Sequence, residues 1–109
     1  MSHSKTLHIL LADDHRIVRE GIKQVFTDTP DICVVAEAAD GEAVLRYLHA
    51  PEQAIDLLLL DIAMPGQDGL SVLSTLQRTH PQLPILVLST YPDRQYAVRC
   101  IKLGAKGYL

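Results

Sequence analysis

Tryptophan is missing from this 109-residue chain, and aromatic residues make up only 5% of it. Its core must therefore be filled by Leu, Ile, Val and Ala, which dominate the 48% of residues that are hydrophobic. No cationic excess exists: 10 Lys and Arg face 13 Asp and Glu, for a net charge of −3. Without a basic face or a long Lys/Arg run, the domain itself is not built to grip DNA. No apolar run approaches the ~20 residues of a membrane span. The short polar stretch Met1 to Lys5 is not followed by a signal-peptide core. A cytoplasmic location with no membrane contact is the expectation. There are only two cysteines, Cys33 and Cys100, far apart and each among apolar neighbours. They are expected to be buried, reduced thiols rather than a disulfide.

Short apolar runs alternate with amphipathic stretches along the chain. Leu7 to Ala12 lacks polar alternation beyond His8 and reads as a strand buried on both faces. A helix is expected over about Arg16 to Thr27, with Val18, Ile22, Val25 and Phe26 on one stripe. Ile32 to Ala38 is a second strand. Asp40 is a suitable N-cap for a helix over Glu42 to His49. Ile55 to Leu60 is the most apolar stretch and ends at Asp61; a helix follows over Leu70 to Thr79. Ile85 to Leu88 is a fourth strand, ending at Ser89 and Thr90. A helix from Pro92-Asp93 to about Leu103 has Gly104 as its expected C-cap, and Gly107 to Leu109 starts a fifth strand. Strand and helix alternate throughout, so the fold class is α/β, a parallel sheet with helices on both faces.

In such sheets ligands bind beyond the C-terminal ends of the strands. The first strand delivers Asp13 and Asp14 there, the third Asp61, and the fourth Ser89 and Thr90. Three carboxylates at one edge repel one another unless a counter-charge joins them. Mg²⁺, a hard cation that takes oxygen ligands and keeps several waters, suits the set, particularly with a phosphoryl oxygen. A carboxylate can itself be the nucleophile and form an acyl phosphate. Asp61, at the end of the most apolar strand, is the best placed. A lone Asp at a strand end is as often a helix cap, and Asp14 could cap the first helix. His15 has no His or Cys partner at ligand spacing, so a surface or loop role is expected of it.

Ala12-Asp13-Asp14-His15, Asp61-Ile62-Ala63-Met64-Pro65 with Asp68-Gly69, Val87-Leu88-Ser89, and Gly104-Ala105-Lys106-Gly107-Tyr108-Leu109 occur in order along the chain. Together they resemble the two-component response-regulator receiver domain. Ala12 to His15, Arg19-Glu20-Gly21 and Gly107-Tyr108-Leu109 are most similar to its NarL/LuxR-type subfamily. The resemblance implies a flavodoxin-like, doubly wound, five-stranded parallel sheet of order 2-1-3-4-5. It implies that Asp61 accepts a phosphoryl group from a sensor histidine kinase. Mg²⁺ would be held by Asp14, Asp61 and the main-chain carbonyl of Ala63, with Asp13 acting mostly through water. Ser89 would be the switch hydroxyl and Tyr108 the switch aromatic. Such regulators control transcription through a C-terminal helix-turn-helix DNA-binding domain, and a phosphorylation-linked homodimer is a further expectation. The domain is expected to change its partners rather than turn over a substrate as an enzyme does.

The family's phosphoryl-pairing Lys usually stands three positions after the aromatic, which falls past Leu109; Lys106 precedes the aromatic and is not its match. The family's last helix is also missing. Residues 1–109 are therefore expected to be a C-terminally truncated receiver without its output domain, poorly competent for phosphorylation and with one sheet face bare. Ala63 and Tyr91 offer little polar help to a hydrolytic water, and a long-lived phosphoryl state is expected. A haloacid-dehalogenase-type phosphatase would want an acid where Ala63 stands. A cobalamin-binding domain would want Gly where Val18 stands, and a nucleotide-binding fold would want a Gly-rich first loop.

Overall fold

The computed structural model describes residues 6–52, 54–61, 69–88, 98, 100–102 and 104–108. Five strands and three complete helices are found there: β1 (Leu7–Ala12), α1 (Arg16–Phe26), β2 (Ile32–Ala38), α2 (Gly41–His49), β3 (Leu57–Asp61), α3 (Gly69–Thr79), β4 (Ile85–Leu88) and β5 (Gly107–Tyr108). Every pairing is parallel, and the order is β2-β1-β3-β4-β5. This is the flavodoxin-like order. β1 and β3, the two most continuous apolar runs, sit inside the sheet, where both faces are covered.

Side chains alternate across the sheet, as strand geometry requires. Leu10, Ala12, Leu58, Leu60 and Val87 face α2 and α3, and pack with Val44, Leu48, Leu73 and Leu76. Ile9, Leu11 and Leu59 face the other way, toward Ile22 and Phe26 of α1. Asp40 caps α2 as expected, its carboxylate accepting from the Ala43 N–H at 2.7 Å. The register of β1 against β2 slips by one residue between Ile9 and Leu10: Ile9 pairs with Val34, but Leu10 pairs with Ala36.

Two expectations need correction, and one rival reading falls away. The α1 stripe is only half-covered: Ile22 and Phe26 pack against the sheet, but Val18 is 42% exposed and Val25 70%. Among the described residues α1 is the one helix on its face, and two side chains of a wide stripe find nothing to lie against. Cys33 is exposed, whereas Cys100 is buried; both are free. Cys33 lies on β2, an edge strand with a neighbouring strand on one side only among the described residues. Asp14 does not cap α1, whose N-cap is His15 with no side-chain cap bond.

The helix expected before β5 is seen at residues 98 and 100–102, and its start at Pro92-Asp93 lies outside the described residues. Its end is described. Gly104 has φ 112°. The Gly104 N–H donates to the Ile101 carbonyl at 3.1 Å, and the Ala105 N–H to the Cys100 carbonyl at 3.0 Å. A positive φ of this kind is open to Gly and strained for other residues. No helix among the described residues is long and apolar enough to cross a membrane.

Candidate functional site: an acidic cluster at the sheet's C-terminal edge

Parallel pairing fixes where the acids emerge. Ala12 pairs with Leu60 in the ladder between β1 and β3, so the residues following each reach the same edge. Asp13 and Asp14 follow Ala12, and Asp61 follows Leu60. One ligand atom from each of Asp13, Asp14, His15 and Asp61 lies within 4.8 Å of all the others. The convergence expected from the sequence is thus present for the three carboxylates, and His15 joins them.

Asp13 is the most tightly held. Its N–H continues the ladder to the Ala38 carbonyl at 3.0 Å, and its side chain is only 6% exposed. Its Oδ1 accepts from the His15 N–H at 2.7 Å, closing the turn into α1. The Nδ1 of His15 lies 3.3 Å from the same Oδ1. It lies 3.0 Å from Asp14 Oδ1. It is not aligned to donate to that second oxygen, which is buried and has no hydrogen-bond partner. A buried carboxylate oxygen without a donor is costly, and a bound cation is one way to satisfy it.

The donor set fits a hard divalent cation. Three carboxylates supply anionic oxygen, and one of those oxygens is left unsatisfied by protein groups. Mg²⁺ is commonly held by one or two carboxylates plus waters and phosphate oxygens, so this cluster has ligands enough.

Arg19 was not assigned a role from the sequence. From the first turns of α1 its Nη1 donates to the Asp13 carbonyl at 2.7 Å, and its Nε to Glu37 Oε1 at 2.8 Å. Lys23, one turn on, donates to Glu37 Oε2 at 2.8 Å and pairs with Glu20 at 2.8 Å. Hydrogen bonding from Lys23, then from Arg19, holds the Glu37 carboxyl below its ordinary value of 4.5, against the opposing effect of its partial burial. Hydrogen bonds to Glu20 and Glu37 raise the Lys23 ammonium above 10.5. The sequence carried a faint signal: a basic residue one helical turn in from an acidic loop.

Ser89 and Ala63 lie outside the described residues, as does Tyr91. β4 ends at Leu88, paired with Asp61, so Ser89 is the next residue of the chain after Asp61's neighbour. Tyr108 is placed by its backbone in β5, paired with Val87. A depression lined by Leu48, Ile55, Asp56, His80 and Pro84 lies at the opposite, N-terminal edge of the strands. Its polar groups are used structurally: Asp56 Oδ2 accepts from the His8 N–H at 2.8 Å, and His80 Nε2 sits 3.2 Å from the Leu48 carbonyl.

A β2-β1-β3-β4-β5 parallel sheet with clustered acids at the C-terminal ends of its first and third strands defines a flavodoxin-like α/β domain with an acidic cluster that could hold a metal ion. Comparison with known proteins gives the family. The response regulator receiver domain matches residues 9–109. The chain is 39% identical over 109 residues to the nitrate/nitrite response regulator protein NarL of Escherichia coli (strain K12), covering all of this chain and 50% of that protein. It is 39% identical over 104 residues to the oxygen regulatory protein NreC of Staphylococcus epidermidis, covering 94% and 47%. Among solved structures, the isolated receiver domain of RcsB from Salmonella enterica serovar Typhimurium superposes with a TM-score of 0.88 at 28% identity, over 96% of this chain and 77% of that one. The receiver domain of the putative response regulator NarL from Mycobacterium tuberculosis gives 0.87 at 30% identity, over 96% and 83%. This chain belongs to the response-regulator receiver family and is of the NarL/LuxR type. It spans about half the length of the curated relatives it matches.

Proposed function

We propose that this chain is a phosphorylation-controlled receiver in which Asp61 accepts a phosphoryl group from the phosphohistidine of a sensor histidine kinase. The observation that carries this reading is the position of Asp61 at the C-terminal end of β3, within 4.8 Å of the Asp13 and Asp14 carboxylates. An Asp61 oxygen attacks phosphorus. The P–N bond to the kinase imidazole breaks, its electron pair stays on the imidazole nitrogen, and a P–O bond to Asp61 forms. Such transfers depend mainly on positioning and on neutralising charge. Asp13, Asp14 and Asp61, with the main-chain carbonyl of Ala63, would hold Mg²⁺. When bound, the ion neutralises charge on the carboxylates and on the phosphoryl oxygens. Ser89 then donates its hydroxyl hydrogen to a phosphoryl oxygen, and Tyr108 is the aromatic partner of that movement. Water attacks phosphorus, the P–O bond to Asp61 breaks, and inorganic phosphate leaves Asp61 as its free carboxylate; we place this self-dephosphorylation at the slow end because Ala63 and Tyr91 are poor hosts for that water. The domain performs self-modification and does not process a separate substrate.

The gain of charge at the edge biases two arrangements of the partner-binding face. Similarity to the response regulator NarL and the oxygen regulatory protein NreC supports a regulatory role, which we read as control of transcription in the cytoplasm through a C-terminal helix-turn-helix DNA-binding domain. The RcsB relative, solved bound to the promoter rprA in the presence of a phosphomimetic, supports the same reading, to which we add a phosphorylation-linked homodimer.

Intact-mass analysis after incubation with acetyl phosphate and Mg²⁺ tests the proposal, on this chain and on a version extended with the C-terminal receiver segment of the NarL relative. The extended wild type is expected to gain one phosphoryl group, and Asp61→Asn none. A folded extended chain that stays unlabelled would overturn the assignment of Asp61.

A further inference from the structure

We infer that His80 is a proton-strengthened bridge between two helices: its charged ring joins the C-terminal end of α3 to that of α2, and losing the charge removes a contact. The bridge lies at the sheet edge opposite the acidic cluster and stands independently of the receiver reading.

The supply of hydrogens carries the argument. Thr79 Oγ1 donates to the Thr75 carbonyl at 3.1 Å. His80 Nδ1 lies 2.8 Å from Thr79 Oγ1, and His80 Nε2 lies 3.2 Å from the Leu48 carbonyl. A carbonyl only accepts, so the contact with Leu48 needs a hydrogen on Nε2. A hydroxyl has a single hydrogen to give. With that hydrogen on Thr75, Thr79 Oγ1 can only accept from Nδ1. Both ring nitrogens then carry hydrogen, and such a ring is an imidazolium. A neutral ring cannot serve all these contacts together, whichever tautomer it takes.

Position points the same way. Leu48 is in the last turn of α2, where carbonyls have no intrahelical donor. His80 follows the last residue of α3, and its own N–H continues that helix to the Leu76 carbonyl at 2.7 Å. The ring stands where two helix C-termini meet, and the negative end of each favours a cation. Asp56, half-buried, lines the same depression and also favours a charged ring, although its Oδ2 serves the His8 N–H. The other charged or titratable groups on these elements are exposed: Arg46 and His49 on α2, Glu52 after it, and Arg78 on α3. Glu52 favours the charge and the two arginines oppose it, but water and salt screen all of them more than Asp56.

Histidine is the side chain whose charge changes close to neutral pH. A ring whose charged form is favoured by the fold adds stability that is present in acid and is lost as pH rises past neutrality. The joint between α2 and α3 is therefore set to tighten on mild acidification and to slacken above neutral pH.

The test compares this chain with His80→Gln, which keeps an amide donor for the Leu48 carbonyl but cannot titrate. Both chains carry His49→Gln, so that the neighbouring ring adds no titration of its own. Urea unfolding is measured at about pH 8 and about pH 5. On acidification the chain with His80 should gain about two- to fivefold in its folding equilibrium over the glutamine variant. No gain, or a loss, would overturn the bridge. Nitrogen NMR of the folded chain reads the ring directly. At about pH 6.5, where an unfolded histidine is about half charged, the His80 ring should be about two-thirds charged or more. Thr79→Val removes the acceptor of the Nδ1 hydrogen and should lower that fraction. A ring no more than half charged would overturn the inference. So would a fraction that stays level or rises in Thr79→Val, because the hydroxyl would then not be accepting from the ring.

Discussion

Arg19 donates to the main-chain carbonyl of Asp13 at 2.7 Å and, through its other nitrogen, to Glu37 at 2.8 Å. One guanidinium thus ties the acidic loop to the end of β2. A planar fork presents separate nitrogens to the two acceptors in a fixed geometry, which the single nitrogen of an ammonium does not match. Arg19→Ala should weaken Mg²⁺ binding by about tenfold, the lower end of what supporting contacts at metal sites are worth. Arg19→Lys should recover little of it. Calorimetric titration of Mg²⁺ into the three proteins checks this. Equal affinities would mean that β1 and α1 hold Asp13 without help.

The Glu37 cluster gives a pH signature. Its carboxyl is depressed by hydrogen bonds from Lys23 and then Arg19. A depressed acid adds stability above its unfolded value of 4.5, and that stability disappears as pH falls through the lower folded value. The stability gap between wild type and Glu37→Gln should therefore be present at neutral pH and close as pH drops below 4.5. The gap should be modest and shrink with salt, since Glu37 and Lys23 are each about one-third exposed. Lys23 acts at the other end: its raised value keeps its share of the pairing until pH climbs past 10.5. Urea unfolding across the two ranges measures both.

Gly104 should resist substitution. Its φ of 112° is strained for any residue with a Cβ, and that Cβ would also meet the Gln77 side chain of α3. Gly104→Ala is expected to cost about 1–2 kcal/mol. Repeating it in a Gln77→Ala background separates the two causes. A flexible side chain can move aside, so most of the loss should remain in the double variant. Recovery of full stability there would assign the cost to the contact.

Asp40→Ala removes the acceptor of the Ala43 N–H and should lower stability by about 1 kcal/mol, whereas Asp40→Asn should lose much less. Matched denaturant unfolding curves decide it. Indistinguishable alanine and asparagine variants would mean that the 2.7 Å bond contributes nothing net.

The parts of the fold legible in the sequence are those set by local pattern. β1 reads correctly, and β3 does so apart from its start, placed at Ile55 and found at Leu57, because a strand covered on both faces needs no alternation. The acids at their ends were locatable for the same reason, since a parallel sheet sends all its strand ends to one edge. What failed was set by tertiary context. Helical periodicity assigns Val18 and Val25 to an apolar stripe, but it cannot say how much of the stripe will be covered. Cys33 has an apolar neighbourhood in sequence and an edge position in space. Arg19 is not legible in the sequence because its role depends on approach, whereas His15 is exposed in the loop before α1, as expected. Glu37 is 18 residues from Arg19, and only the β1–β2 pairing brings it there. Ser89, Ala63 and Tyr91 lie outside the described residues.

The one-residue slip between β1 and β2 bears on how copies of this protein meet. β2 is the outer strand, and a regular outer strand is a template on which another chain can add by main-chain hydrogen bonds. The slip spends an extra residue on β2 between Val34 and Ala36 and so breaks the even spacing of its donors and acceptors. An incoming strand would have to copy the same irregularity to pair along its whole length. Strand-to-strand polymerisation through this border is thereby disfavoured.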